Sequence, residues 1–268
     1  MNNSILWQIF WRSLFIQCVL NFDKMQNTGF ATAMLPVIKR LFPDVEEQKK
    51  ALLRNFEHFN TQPYMANLII GLIAAKEEKF ASSQDGKILD RHIGLPLLED
   101  ISHLKEITAR SLAALGDTFF WGTWRPFISL VGIVIVASGI ILKLTWLIGA
   151  GIAVFLIVYN LIPVIVRWYG LRLGYEKQEG IIEVILRVKP VIGRIIWWIQ
   201  AISLTILACF GVFSSSQMLG ALGGHGNLIS YLLSGVIVIW VAVTLRRISI
   251  SKVMMLVVII SVVQAYVW

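Results

Sequence analysis

Long stretches without a single charged side chain constrain this chain more than any other feature. Residues 126–142, 144–166, 195–213, 228–245 and 253–268 contain no Asp, Glu, Lys or Arg. A helix crosses the hydrocarbon core with about 20 mostly apolar residues, and about 17 is the lower limit. Three of these runs clear that limit, 126–142 sits at it, and 253–268 falls one residue short. The chain therefore reads as an all-α, multi-pass membrane protein with about five transmembrane helices in its C-terminal half. Its charged fraction of 15% agrees, against roughly a quarter in soluble domains.

The charges are unevenly spread. Residues 1–125 hold 14 of the 24 Lys and Arg and 13 of the 16 Asp and Glu. This divides the chain into a mixed N-terminal region, 1–125, and a transmembrane region, 126–268. The second carries a net charge of +7, from 10 basic and 3 acidic residues. Basic loops of membrane proteins account for such an excess without any nucleic acid. Basic residues in short loops face the cytoplasm. The segments 167–194, with Arg167, Arg172, Lys177, Arg187, Lys189 and Arg194, and 246–252, with Arg246, Arg247 and Lys252, are expected inside. The loop 214–227 has no such residue and is expected outside. Threading the spans then gives a cytoplasmic N-terminus and an external C-terminus. Only Lys143, in a tight turn between the first two spans, goes against this. Met1–Leu20 lacks the basic start, unbroken apolar core and cleavage site of a secretory signal. Cys18 and Cys209 form no CxxC and no metal spacing.

Within 1–125, Trp7, Phe10, Trp11, Leu14 and Cys18 fall on one side of a helix. Two readings fit equally: a helix in the membrane interface, or one packed on the protein's own core. Asp44 with Glu47 three residues later marks a helix start. Leu52, Leu53, Phe56 and Phe59 are the apolar positions that follow. A break is expected at Asn60-Thr61-Gln62-Pro63, with Pro63 opening the next helix. That helix contains "MANLIIGLIAA", too short to span, before Lys76, Glu77, Glu78 and Lys79. Such a run reads as a buried or re-entrant segment. Gly116 is expected to end a further helix, and Asp117 to cap the next. Both breaks would put polar side chains beside apolar sequence, as the broken helices of transporters do at substrate sites. Asp117 has the plainer reading of an N-cap, worth about 1 kcal/mol. Arg125, before Pro126, has that of a snorkelling interface residue near Trp121 and Trp124.

Catalytic signatures are missing. The sequence has no HExxH, GxSxG or P-loop, and His58, His92, His103 and His225 are scattered. "GALGGHG" at 220–226 follows no strand and is too weak for a nucleotide site. No cofactor or metal is expected.

Four stretches together carry a resemblance. They are "NFDKMQNTGFATAMLPVIKRLF" (21–42), "NFEHFNTQPYMANLIIGLIAAKEEK" (55–79), "LGDTFFWGTWRP" (115–126) and "VRWYGLRLGYEKQEG" (166–180). Their pattern includes Asn21, Met25, Gly29, Phe59, Thr61, Pro63, Gly116, Arg125, Pro126, Gly174 and Tyr175. The chain resembles the IID component of the mannose-family sugar phosphotransferase systems (PTS) of bacteria. The match is close over 1–190 and thin afterwards. It departs at 214–227, which is shorter than the family's external segment, and at "ITARSLAALGD", which lacks a glycine-rich approach.

The resemblance implies a membrane subunit that pairs with a IIC subunit to form the pathway for a hexose-type sugar. Phosphate would pass through IIA and IIB, and no phosphorylated residue is expected in this chain. It further implies re-entrant hairpins and a trimer of IIC–IID pairs. Asn60, Gln62 and Asp117 become the residues expected to face the sugar or the IIC surface around it, with Gln26 as an outer candidate. Trp121 is either an apolar face for a sugar ring or an interface anchor. A membrane scaffold or receptor subunit that transports nothing is the alternative, and an unrelated channel or intramembrane enzyme is a third reading.

Overall fold

The computed structural model describes residues 1–85 and 91–221. All of the regular structure described is helical. The elements are α1 (Asn3–Ser13), α2 (Asn27–Leu41), α3 (Val45–Asn55), α4 (Ala66–Asp85), α5 (Arg91–Gly116), a π-helical segment (Asp117–Trp124), α6 (Arg125–Ile141), α7 (Thr145–Lys177) and α8 (Ile181–Ala221). Three helices among the described residues are long and apolar enough to cross a membrane: Ile101–Ile141, Thr145–Lys177 and Ile181–Gly211. The expected spans at 228–245 and 253–268, and the basic loop 246–252, lie outside the described residues.

The helix that carries the first expected span does not start at 126. Helical structure runs unbroken over Ile101–Ile141, so Arg125 and Pro126 lie inside one long helix. The charge boundary at Arg125 marks where polar side chains stop, not where the helix begins. Pro126 has no N–H to give the preceding turn, and the wider winding of Asp117–Trp124 accommodates the missing bond.

The chain forms two compact units. One comprises Met1–Gly122 with Ile157–Ile192, the other Thr123–Leu156 with Gly193–Trp268. In the first, α2 packs against α1, α3 and α4, and α4 against α5. Its core is made of Ile9 and Ile16, of Phe30, Met34 and Ile38 on α2, and of Ile69, Ile70, Leu72 and Ile73 on α4. The run "MANLIIGLIAA" is indeed buried, and α4 continues through Lys76 and Glu77 with both side chains enclosed. Glu77 is held by Arg54, whose Nε lies 2.8 Å from Oε1, and by Asn55 Nδ2 at 2.8 Å. A buried carboxylate needs this full set of partners. At the crossing of α4 and α7, a Cβ on Gly174 would lie 2.0 Å from the Leu68 carbonyl oxygen. No side chain fits there. Next to it, the Tyr175 hydroxyl donates to the Glu78 carboxylate.

Helix α1 packs inward with a face other than the Trp7, Trp11 and Cys18 stripe. Ile5, Leu6, Ile9, Phe10 and Ser13 are buried, whereas Trp7, Trp11 and Cys18 are exposed. The helix carries two apolar stripes, and periodicity alone does not say which one packs inward. Trp7 stacks on Trp168 at 4.1 Å. Arg167, counted above among loop charges, is buried and donates to the Ser13 carbonyl at 2.6 Å. The start of α3 follows expectation, with Asp44 accepting from the Glu46 and Glu47 amides, both at 3.1 Å. Its end does not: the helix stops at Asn55, and Leu53 and Phe56 are exposed.

In the second unit, α6 and α7 form a hairpin. Lys143 takes a left-handed φ of 56°, and Leu144 N donates to the Gly139 carbonyl at 2.8 Å. This closes the turn at Leu142–Leu144 and leaves Lys143 exposed at its tip. Gly132 and Gly151 face each other across the hairpin, as small residues do where membrane helices pack closely.

Candidate functional site

The break between α3 and α4 spans residues 56–65, longer than the expected Asn60–Pro63, and α4 begins at Ala66 instead of Pro63. Ten residues without helical hydrogen bonds must find partners elsewhere if buried. They find them on α2 and the residues just before it, and on α5. Asn27 Nδ2 donates to the Phe56 carbonyl at 3.0 Å. Gln26 N donates to the Phe59 carbonyl at 2.8 Å, part of a short parallel bridge between Met25 and Phe59. The Gln26 side chain then grips the next peptide. Its Nε2 donates to the Thr61 carbonyl at 2.9 Å and its Oε1 accepts from Thr61 N at 3.3 Å. Thr61 Oγ1 donates to the Ala109 carbonyl on α5 at 3.0 Å. Met25 reaches this arrangement with a left-handed φ of 55°, and Asn21 pairs with it in a small antiparallel bridge.

Gln62 closes the loop. Its Oε1 accepts from Tyr64 N at 2.7 Å and Met65 N at 3.1 Å, which leads the chain into α4. Its side chain is buried, yet Nε2 has no hydrogen-bond partner among the described residues. Asn60, between these anchored residues, is exposed.

The second expected break is absent. Gly116 is not a helix end, and Asp117 caps nothing, because the chain passes from α5 directly into the π-helical segment. Gly116 is there for space: a Cβ would lie 2.6 Å from Gln62 Cβ and 2.8 Å from Gln62 Cγ. The glycine lets the 56–65 loop lie flat on α5. Asp117 and Trp121 are exposed, and Phe120 is buried. π-helical winding is rare and is frequently met at functional sites.

Tyr64 links the two stretches. Its ring meets Phe120 edge-on at 4.9 Å and Trp121 at 5.8 Å. Its hydroxyl lies 3.1 Å from that of Tyr159, and the Arg167 guanidinium sits 5.3 Å from its ring centre. The structure thus brings Gln62 and Trp121 to Tyr64, and Gly116 to Gln62, with Asp117 the residue after that glycine. Gln26 is committed to the Thr61 peptide and supports the loop from beneath. The reading of the sequence had no place for Tyr64, Lys105 or Asn27. "TQPY" puts Tyr64 in the first turn after the proline, but nothing local reveals that its ring contacts residues 56 positions away.

No group of three or more His, Cys, Asp or Glu among the described residues is placed to hold a metal ion. The stretch exposes an amide at Asn60, a carboxylate at Asp117 and the Trp121 ring.

A family model described as PTS system mannose/fructose/sorbose family IID component matches residues 1–217. The mannose-specific EIID component of Escherichia coli K12 is 36% identical over 179 residues, which are 65% of this chain and 56% of that protein. The sorbose-specific EIID component of Klebsiella pneumoniae is 33% identical over 66% of this chain and 58% of its own length. The fructose permease IID component of Bacillus subtilis is 32% identical over 66% and 58%. The aligned part therefore spans little more than half of these relatives. Among solved structures, the mannose transporter ManYZ in complex with microcin E492 aligns with a TM-score of 0.56 and 30% identity, over 76% of this chain and 70% of that one. A structure described only as a membrane protein aligns with a TM-score of 0.60 and 30% identity. This chain belongs to the IID component family of the mannose/fructose/sorbose phosphotransferase systems.

Proposed function

We propose that this chain is the membrane IID subunit of a mannose-family PTS permease. With a IIC subunit it forms the path of a hexose-type sugar, which IIB and IIA phosphorylate on entry. The observation that carries this is the loop at 59–62. Its backbone is held by Gln26 and Thr61 and its Gln62 side chain packs over Gly116, while Asn60 is exposed and the Gln62 amide nitrogen has no hydrogen-bond partner among the described residues. Sugars offer hydroxyls that both donate and accept, so a site for them needs amides and carboxylates at fixed, converging points. Asn60, Gln62 and Asp117 supply these groups, and Trp121 supplies a ring face.

In this reading the 56–65 loop and the π turn at Asp117–Trp124 are the non-helical and distorted backbone that a membrane protein tolerates around a cavity. The N-terminus is cytoplasmic, and the Lys143 turn is external. The outward stripe of α1, with Trp7, Trp11 and Arg12 exposed, lies in the membrane interface, where such residues anchor. The subunits assemble as a trimer of IIC–IID pairs, and this chain is unstable without IIC.

The test is Asp117→Asn in cells that carry the complete system, with membrane protein level measured in parallel. Since Asp117 caps no helix, the change keeps the fold. Loss of charge-assisted bonds of about 1.5–3 kcal/mol each raises the KM for uptake roughly 10- to 150-fold. Unchanged KM in both Asp117→Asn and Asn60→Ala would remove this loop and turn from the sugar path.

A further inference from the structure

We propose that Lys105 is a positioning residue for sugar uptake, holding the loop 56–62 in its binding geometry from the face of α5 that meets it. The inference rests on the reading that this loop meets the sugar, and it adds the element that fixes the loop in place.

Lys105 is almost fully enclosed. Its Nζ donates to the Asn55 carbonyl at 3.1 Å. It also lies 4.3 Å from the centre of the Phe30 ring and 5.6 Å from that of Phe59. The Glu57 and Glu77 carboxylates add a longer-range attraction. An ammonium group buried this way is unfavourable unless carbonyl dipoles and ring faces replace its water. Here they do, and their positions are informative. Asn55 is the last residue of α3, so its carbonyl is one that the helix leaves unpaired, at the negative end of the helix dipole. Phe59 is the residue whose carbonyl Gln26 N binds. One lysine therefore touches both the start of the loop and its midpoint.

The other contacts of α5 extend this line. Lys105, Ala109 and Gly116 are spaced by about one and two helical turns and share a face. They meet the loop in order: Lys105 at Asn55 and Phe59, the Ala109 carbonyl at Thr61, and Gly116 at Gln62. The face works as a template that runs the length of the loop. It ends at Asp117, so the same helix that sets the loop also presents the carboxylate. A leucine at 105 would fill space against Phe30 and Phe59 but would hold neither the carbonyl of Asn55 nor the angle at which the loop leaves α3.

Two measurements on the full chain, in the assembled membrane complex, test this. The first places a nitroxide on Asn60→Cys in a Cys18→Ser/Cys209→Ser background, with Glu46→Cys as an exposed control on α3. Lys105→Met, which keeps the aliphatic stem, should broaden the range of motion at 60 and leave 46 unchanged. The second is uptake of radiolabelled mannose, fructose or sorbose, whichever the unmodified system takes up. Lys105→Met should raise KM roughly tenfold, the factor carried by about 1.4 kcal/mol of lost hydrogen bonding, with maximal rate and protein level nearly unchanged. Lys105→Arg, which also donates to carbonyls and stacks on rings, should restore most of the affinity. If Lys105→Met fails to accumulate, Thr61→Val removes one template contact more gently and should shift both readouts in the same direction, by less. An unmoved label in Lys105→Met, or in Thr61→Val, overturns the positioning role. A mobilised label with unchanged KM overturns it through the reading beneath, by showing that the loop moves freely without consequence for the sugar.

Discussion

Replacing Gly116 with alanine separates two accounts of the Gly-Asp pair. If Gly116 ended a helix in left-handed geometry, alanine would be penalised by its backbone angle. The structure has no such angle there, only a shortage of room. The new Cβ would sit 2.6 Å from Gln62 Cβ, 2.8 Å from Gln62 Cγ and 3.0 Å from Met65 Cγ. Gln62 cannot swing aside cheaply, because its Oε1 is bound to the amides of Tyr64 and Met65. Overpacking of this kind costs about 1–3 kcal/mol, while alanine gains about 0.5–1 kcal/mol over glycine in a helix. A net loss of about 1 kcal/mol follows, or about 2–4 °C in Tm for a chain of this size. Gly122→Ala is the control, since its Cβ would meet nothing nearer than the Asp117 carbonyl at 3.7 Å. It should be neutral or stabilising. The assay is thermal unfolding of the detergent-solubilised complex followed by size-exclusion fluorescence. A Gly116→Ala protein at least as stable as the Gly122→Ala protein would refute the crowding argument.

Glu77→Ala should be far more severe, because it leaves the Arg54 guanidinium without its fork partner. Breaking such a pair costs about 3–5 kcal/mol, which should be read as lost membrane-inserted protein; normal yield and Tm would contradict it. For orientation, Lys143→Cys in a Cys18→Ser/Cys209→Ser background should react with an impermeant maleimide from outside, and Gln178→Cys, in the exposed turn between α7 and α8, should not. The reverse labelling would invert the topology.

What the sequence conveyed depended on how local each signal was. The Asp44 cap involves residues two and three positions on, and the structure has it as expected. The buried run in α4 and the α6–α7 hairpin around Lys143 were equally legible, since both depend on composition over a short stretch. Gly116 was not. A glycine before an aspartate is the same pattern whether the glycine ends a helix or clears space for a neighbour, and only Gln62, 54 positions earlier, distinguishes them. Helix α1 presented two apolar stripes, and the choice of Ile5, Leu6 and Ile9 for the inside depends on α2 and α4. Lys105 sits in "HLKEI", beside Glu106 and near His103, the ordinary look of a charged position on the polar side of an amphipathic helix. Its burial follows from Phe30 and Phe59, which the chain delivers from two other elements. The candidate site was therefore half legible: the motif loop could be named in advance, while the residues that hold it still could not.

The central claim is that this chain forms part of the sugar path through the residues at 60–62 and 117. The most direct test is sugar affinity measured on the purified assembly with IIC, free of phosphorylation and of cell physiology. Binding of radiolabelled mannose, fructose and sorbose should appear for at least one sugar in the unmodified complex. It should weaken at least tenfold in Asn60→Ala/Asp117→Asn, on the strength of charge-assisted hydrogen bonds of about 1.5–3 kcal/mol, with the complex intact by size exclusion. An intact double variant that binds the same sugar as tightly as the unmodified complex would contradict the account.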